Sequence, residues 1–88
     1  MAQNGESLST KDHETIRRWA EERNGKPVRI KGAGIELDFP GYDGGDKFEE
    51  ISWDDWFEEF DAKGLELTYQ ETTKDGEQSN FNRLTGGS

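Results

Sequence analysis

The chain has no cysteine, which excludes disulfide frameworks, thiolate metal sites and cysteine nucleophiles. Histidine occurs once, at His13, and proline only at Pro27 and Pro40. No apolar run approaches the length of a membrane span, so no membrane association is expected. Residues Met1 to Ser7 show no basic stretch followed by an apolar one, so no secretory signal is expected. With the missing cysteines, this gives the expectation of a cytoplasmic protein. Apolar residues are themselves scarce, at 28% against 35% charged. Aromatic residues, at 11%, must therefore supply much of the core. Each buries roughly 150–250 Å², so a few replace many aliphatic side chains.

What is present is a well-punctuated helix. In Ile51-Ser52-Trp53-Asp54-Asp55-Trp56-Phe57-Glu58-Glu59-Phe60-Asp61-Ala62-Lys63-Gly64, Ser52 is placed to cap the first turn. Ile51 and Trp56 fit a hydrophobic staple around that cap. Trp53, Trp56, Phe57 and Phe60 recur at helical spacing on one face. Gly64 suits the left-handed residue that ends the helix. An earlier helix opens at Ser9 or Thr10, buries Ile16, Trp19 and Ala20, and closes at Asn24-Gly25 before Pro27. The stem of Arg23 is expected to cover Trp19.

Period-two alternation marks the strands. Val28 and Ile30, then Ile35, Leu37 and Phe39, flank the turn Gly32-Ala33-Gly34 and read as one hairpin. Leu65, Leu67 and Tyr69, then Glu77 to Arg83 with Phe81 inward, flank Thr73-Lys74-Asp75-Gly76 and read as a second. Leu84 disagrees in parity with Phe81, so a bulge or bend is expected between them. The expected fold class is α+β, two-layer, in the order α-β-β-α-β-β. Both helices would pack on one face of a mainly antiparallel four-stranded sheet. The other face would carry Arg29, Lys31, Glu36, Asp38, Glu66, Thr68, Gln70, Asn80 and Asn82 and stand open to water. The 88 residues make one domain, expected over residues 9–84, with a disordered tail at 1–8 and a flexible one at 85–88.

The net charge of −9 is unevenly placed. Residues 1–34 net +2, whereas residues 35–88 net −11. The acidic outer face of the second helix, Asp54, Asp55, Glu58, Glu59 and Asp61, is the candidate docking surface for a basic protein. Tyr42, the one aromatic outside the expected core, joins it as a contact residue. The alternative is a nucleic-acid interface made by Lys11, Arg17, Arg18, Lys26, Arg29 and Lys31. The overall charge repels a phosphate backbone, and the expected open sheet face has no aromatic rings for bases to stack on.

Catalytic signals are weak. His13 has no partners that sequence can place beside it for a nucleophilic triad. Carboxylates on the outside of a short helix are hydrated, so none is expected to become a general acid. Asp43-Gly44-Gly45-Asp46 lacks the alternating ligands of a calcium loop, and no Lys-Ser/Thr pair makes it a phosphate cradle. The expectation is therefore no catalytic residue, no cofactor and no metal.

Two segments resemble a known family: Ser9 to Pro27, and Ile51 to Phe57 with Leu65, Tyr69-Gln70 and Gly76-Glu77-Gln78-Ser79-Asn80-Phe81-Asn82-Arg83-Leu84. The family is one of short, uncharacterised bacterial proteins that often carry the label 1,4-alpha-glucan branching enzyme. That activity is housed in a catalytic barrel of about 250 residues, which does not fit in this chain. The resemblance therefore implies a bacterial protein and no particular reaction. The reading from sequence is a small acidic monomer that binds a protein partner without catalysis.

Overall fold

The second helix is where the sequence places it. In a computed structural model describing residues 4–41 and 47–86, α2 spans Trp53–Ala62. Ser52 caps it, its Oγ accepting the Asp55 N–H at 3.0 Å, and Gly64 takes a left-handed φ of 62° just beyond its end. Trp56, Phe57 and Phe60 are buried and Trp53 is half-buried. The first helix, α1, spans His13–Glu22. Its cap is Asp12 rather than Ser9 or Thr10, and the Asp12 carboxylate accepts both the Thr15 N–H and the Thr15 hydroxyl. Those two bonds lower the Asp12 pKa, the hydroxyl contributing most.

The helix starts later than expected because a strand precedes it. β1 is Ser7–Thr10, β2 Lys26–Ile30, β3 Gly34–Asp38, β4 Phe48–Glu50, β5 Leu65–Gln70 and β6 Asn82–Gly86. The protein is α+β, but the four-stranded sheet is replaced by two three-stranded antiparallel sheets, β1-β5-β6 and β3-β2-β4. β1 and β4 escape sequence reading because each is short and nearly all polar, a common state of edge strands. The expected tails shorten accordingly. Gly5 donates its N–H to the Thr72 carbonyl, Ser7 and Leu8 lie in β1, and Thr85 and Gly86 lie in β6.

The chain is thus a β-α-β-β unit used twice. The same spacing separates the two N-caps, the two helix starts and the left-handed residues that follow the two helices, Asn24 and Gly64. The units exchange their leading strands. β1 pairs with β5 of the second unit, and β4 pairs with β2 of the first.

One core joins both units: Ile16, Trp19 and Ala20 from α1, Trp56, Phe57 and Phe60 from α2, Ile35 and Leu37 from β3, and Leu67 and Tyr69 from β5. Each helix is tied to a strand by an indole. Trp19 Nε1 donates to the Gln70 carbonyl and Trp56 Nε1 to the Glu36 carbonyl, both at 2.9 Å.

The first hairpin departs from expectation in its faces. Val28 pairs with Glu36, Arg29 with Ile35 and Ile30 with Gly34, across a loop of three residues, 31–33. Directly paired residues share a face. Val28 and Ile30 therefore lie with Glu36 and Asp38, while Arg29 lies with Ile35 on the side of α2. An odd loop length sets this register and separates the two apolar sets. Ile30 also pairs with Phe48, so the far face of this sheet holds apolar residues as well as carboxylates.

The second hairpin is longer than a tight turn. Residues 71–81 leave the sheet before β6 returns, with Leu84 opposite Leu67 at the core and Phe81 46% exposed instead of inward. The buried Arg23 guanidinium holds this excursion. It donates to the carbonyls of Trp19, Glu71 and Ser79 and lies 4.5 Å over the Trp19 ring. Burial lowers its pKa, and neighbouring Glu22 opposes the shift.

Candidate functional site

The acidic face of α2 divides into two groups. Asp54, Asp55 and Glu58 are exposed and make no ion pair among the described residues. Glu59 and Asp61 are engaged. Glu59 is half-buried between Lys63 at 2.9 Å and Arg29 at 3.6 Å, and its pKa is lowered chiefly by the Lys63 hydrogen bond. Asp61 Oδ1 lies 2.8 Å from His13 Nε2. Tyr42, named from sequence as a contact, lies outside the described residues, as does Asp43 to Asp46.

His13 joins the two helices. Its ring stacks on Phe57 with centroids 4.2 Å apart and 7° between planes, while Nε2 meets Asp61. The His13–Asp61 contact and the ring stacking thus bridge α1 and α2. Beside it lies a shallow cleft of about 510 Å³ between the helices, lined by Arg17, Arg18, Trp53 and Asp54 among others.

The basic residues are mostly occupied. Arg17 pairs with Glu21, Arg18 with Glu14, Lys26 with Glu50, and Arg29 with Glu49 and Glu59. Lys11 and Lys31 are exposed without an ion pair among the described residues. The six are spread over several elements of the chain. Arg17 and Arg18 lie on α1, Lys26 and Arg29 on β2, and Lys31 in the turn that follows β2.

A second concavity was not foreseen from the sequence. A groove of about 570 Å³ is lined by Ile30, Phe39, Pro40 and Phe48 together with Glu36, Asn80 and Asn82. Ile30, Phe48 and Glu36 reach it because the three-residue turn places them on one face of their sheet. Asn80 reaches it from the 71–81 excursion, which Arg23 and Ser79 hold in place, and Asn82 from the start of β6, opposite Tyr69. The Ser79 hydroxyl donates to Gln70 Oε1 and accepts the Phe81 N–H. The signal that points to this face is the odd spacing across Gly32-Ala33-Gly34. Reading the two apolar sets as a single face hides it.

Glu36 is the unusual group in the groove. Its carboxylate makes no hydrogen bond or ion pair among the described residues, and burial raises its pKa. Asp38, on the same face, also has a buried oxygen, Oδ1, without a hydrogen-bond partner among the described residues. A carboxyl whose pKa rises on folding binds its proton more tightly in the folded state. Stability then falls as pH climbs from the ordinary glutamate range through the raised value, and the full penalty applies above it. Glu36→Gln is therefore expected to melt above the wild type at pH 7.5, with the gap closing as the pH is lowered through the carboxylate range. Thermal melts at a series of pH values check this; a lower melting temperature for the variant at pH 7.5 contradicts it.

Among the described residues, no group of three or more His, Asp or Glu side chains is arranged to hold a metal ion, and no helix is long and apolar enough to cross a membrane. Comparison of the chain with models of protein families, with curated proteins and with solved structures gave no match. The fold and the site together define a small acidic α+β protein with strand-exchanged β-α-β-β units, a carboxylate-bearing helix face and a partly apolar groove.

Proposed function

We propose that this protein is a non-catalytic binding module that docks a basic protein surface through Asp54, Asp55 and Glu58 of α2. The observation that carries this reading is the sorting of charge. Four of the six candidate nucleic-acid-binding cations are already paired with carboxylates, whereas these three acids stand exposed without a cation among the described residues. Surface charge of this kind contributes mainly to encounter rate and choice of partner. Kinship with the short bacterial family is part of the same reading and adds no reaction to it.

The test compares two labelled probes by fluorescence anisotropy: a lysine- and arginine-rich peptide and a DNA duplex. The peptide is expected to bind at low salt and to weaken as salt rises, and the duplex to give a flat titration. Asp54→Asn, Asp55→Asn and Glu58→Gln combined should reduce peptide affinity at least tenfold. A control with Glu66→Gln, Asp75→Asn and Glu77→Gln carries the same net charge and should reduce it far less. Equal losses in the two triple variants would reduce the effect to net charge and remove the helix face as a site. Duplex binding that weakens with Arg17→Ala or Arg18→Ala would favour the nucleic-acid alternative instead.

A further inference from the structure

The groove beside β3 combines apolar walls with a carboxylate. Its walls at Ile30, Phe39 and Phe48 are apolar, and its titratable group among the described lining residues is the carboxylate of Glu36. That carboxylate has no hydrogen-bond or ion-pair partner among the described residues, and burial raises its pKa. A desolvated carboxylate in a cleft marks a candidate ligand site.

The chemistry required of that ligand is narrow. It needs one positive charge to meet Glu36 and an aliphatic stem to lie against the ring and alkyl walls. The amide oxygens of Asn80 and Asn82 can accept further N–H bonds from the charged end. Phenylalanine faces add a favourable field for a cation. A carboxylate or phosphate ligand would meet like charge in a protein of net charge −9.

We propose that this groove is a receptor for an alkylammonium group, presented as the lysine side chain of a partner peptide. The site is distinct from the acidic face of α2. α2 packs on the side of the sheet that carries Ile35 and Leu37, whereas Glu36 lies on the other. The assignment does not depend on docking through that helix.

The experiment is an NMR titration of the full chain, ¹⁵N-labelled, at physiological salt. The probe is a capped Gly-Gly-Lys-Gly-Gly peptide, which carries a single charge. The expected result is a saturable shift of the Asn80 and Asn82 side-chain amides and of the Glu36 and Phe48 backbone amides. Acetylating the lysine nitrogen should abolish the shifts. Glu36→Gln should weaken binding at least tenfold, and its folding is checked independently by the melts described above. Asn80→Ala with Asn82→Ala should weaken it by a smaller factor. The variant lacking Asp54, Asp55 and Glu58 should bind the peptide as the wild type does, so this site and the helix face can fail separately. Equal binding of the acetylated peptide, or unchanged affinity in Glu36→Gln, overturns the proposal. Binding of n-butylammonium as tight as that of the peptide overturns its assignment to a peptide-borne lysine and assigns the groove to free amines.

Discussion

Replacing Arg23 by methionine is expected to lower the free energy of unfolding by about 2–4 kcal/mol, a fall of roughly 10–25 °C in melting temperature for a domain this size. The reason lies in what the guanidinium leaves behind. Three backbone carbonyls, of Trp19, Glu71 and Ser79, take their hydrogen bonds from it, and the side chain is almost wholly buried. Methionine keeps much of the stem that covers Trp19 but supplies no donor, so these acceptors lose a charged partner in a place that water scarcely reaches. Arg23→Lys separates charge from geometry. A lysine keeps the charge, but a single ammonium cannot replace a planar fork that spans three carbonyls. It should recover only part of the loss. Urea melts with matched slopes give the number, and a loss below about 1 kcal/mol for Arg23→Met would mean that the excursion is held by something else.

Trp56→Ala is expected to cost about 3–5 kcal/mol, a large share of the roughly 5–15 kcal/mol that a domain holds in all. Trp56 has no exposed surface, and its ring meets Trp53, Phe57 and Phe60 at centroid distances of 5.6, 5.2 and 5.4 Å. Removing it opens a cavity at the point where α2, β3 and the rest of the core converge. Trp56→Phe isolates the polar part of the effect. It preserves most of the ring packing but deprives the Glu36 carbonyl of its donor, at a cost of about 1–3 kcal/mol. Circular dichroism and calorimetric melts read both variants. A Trp56→Ala protein that melts with the wild-type midpoint would show that the core does not rest on this indole.

The helices were legible because their signals are local. Ser52, the aromatic stripe and Gly64 each act within a turn or two of chain, and the structure keeps all three in their expected roles. The Arg23 stem over Trp19 was legible for the same reason. What the sequence hid was settled at a distance. β1 and β4 become strands by pairing with β5 and β2, and nothing in Ser7-Leu8-Ser9-Thr10 or Phe48-Glu49-Glu50 announces those partners. Alternation in β2 and β3 was read correctly strand by strand, but the relation between them depends on a loop of odd length, which turned Val28 and Ile30 away from Ile35. The groove followed that error into invisibility. On the acidic face, composition identified the carboxylates but could not tell that Glu59 and Asp61 were bound to Lys63, Arg29 and His13.

The exchange of leading strands bears on how the chain acquires its fold. Leu8 must find Tyr69, and Arg29 must find Glu49, so neither sheet can be finished by residues of its own half. The β1–β5 pairing is of long sequence separation, so chain closure has to precede the reward of pairing there. During synthesis the first strand emerges with no partner to receive it, and it stays unpaired until β5 has been made.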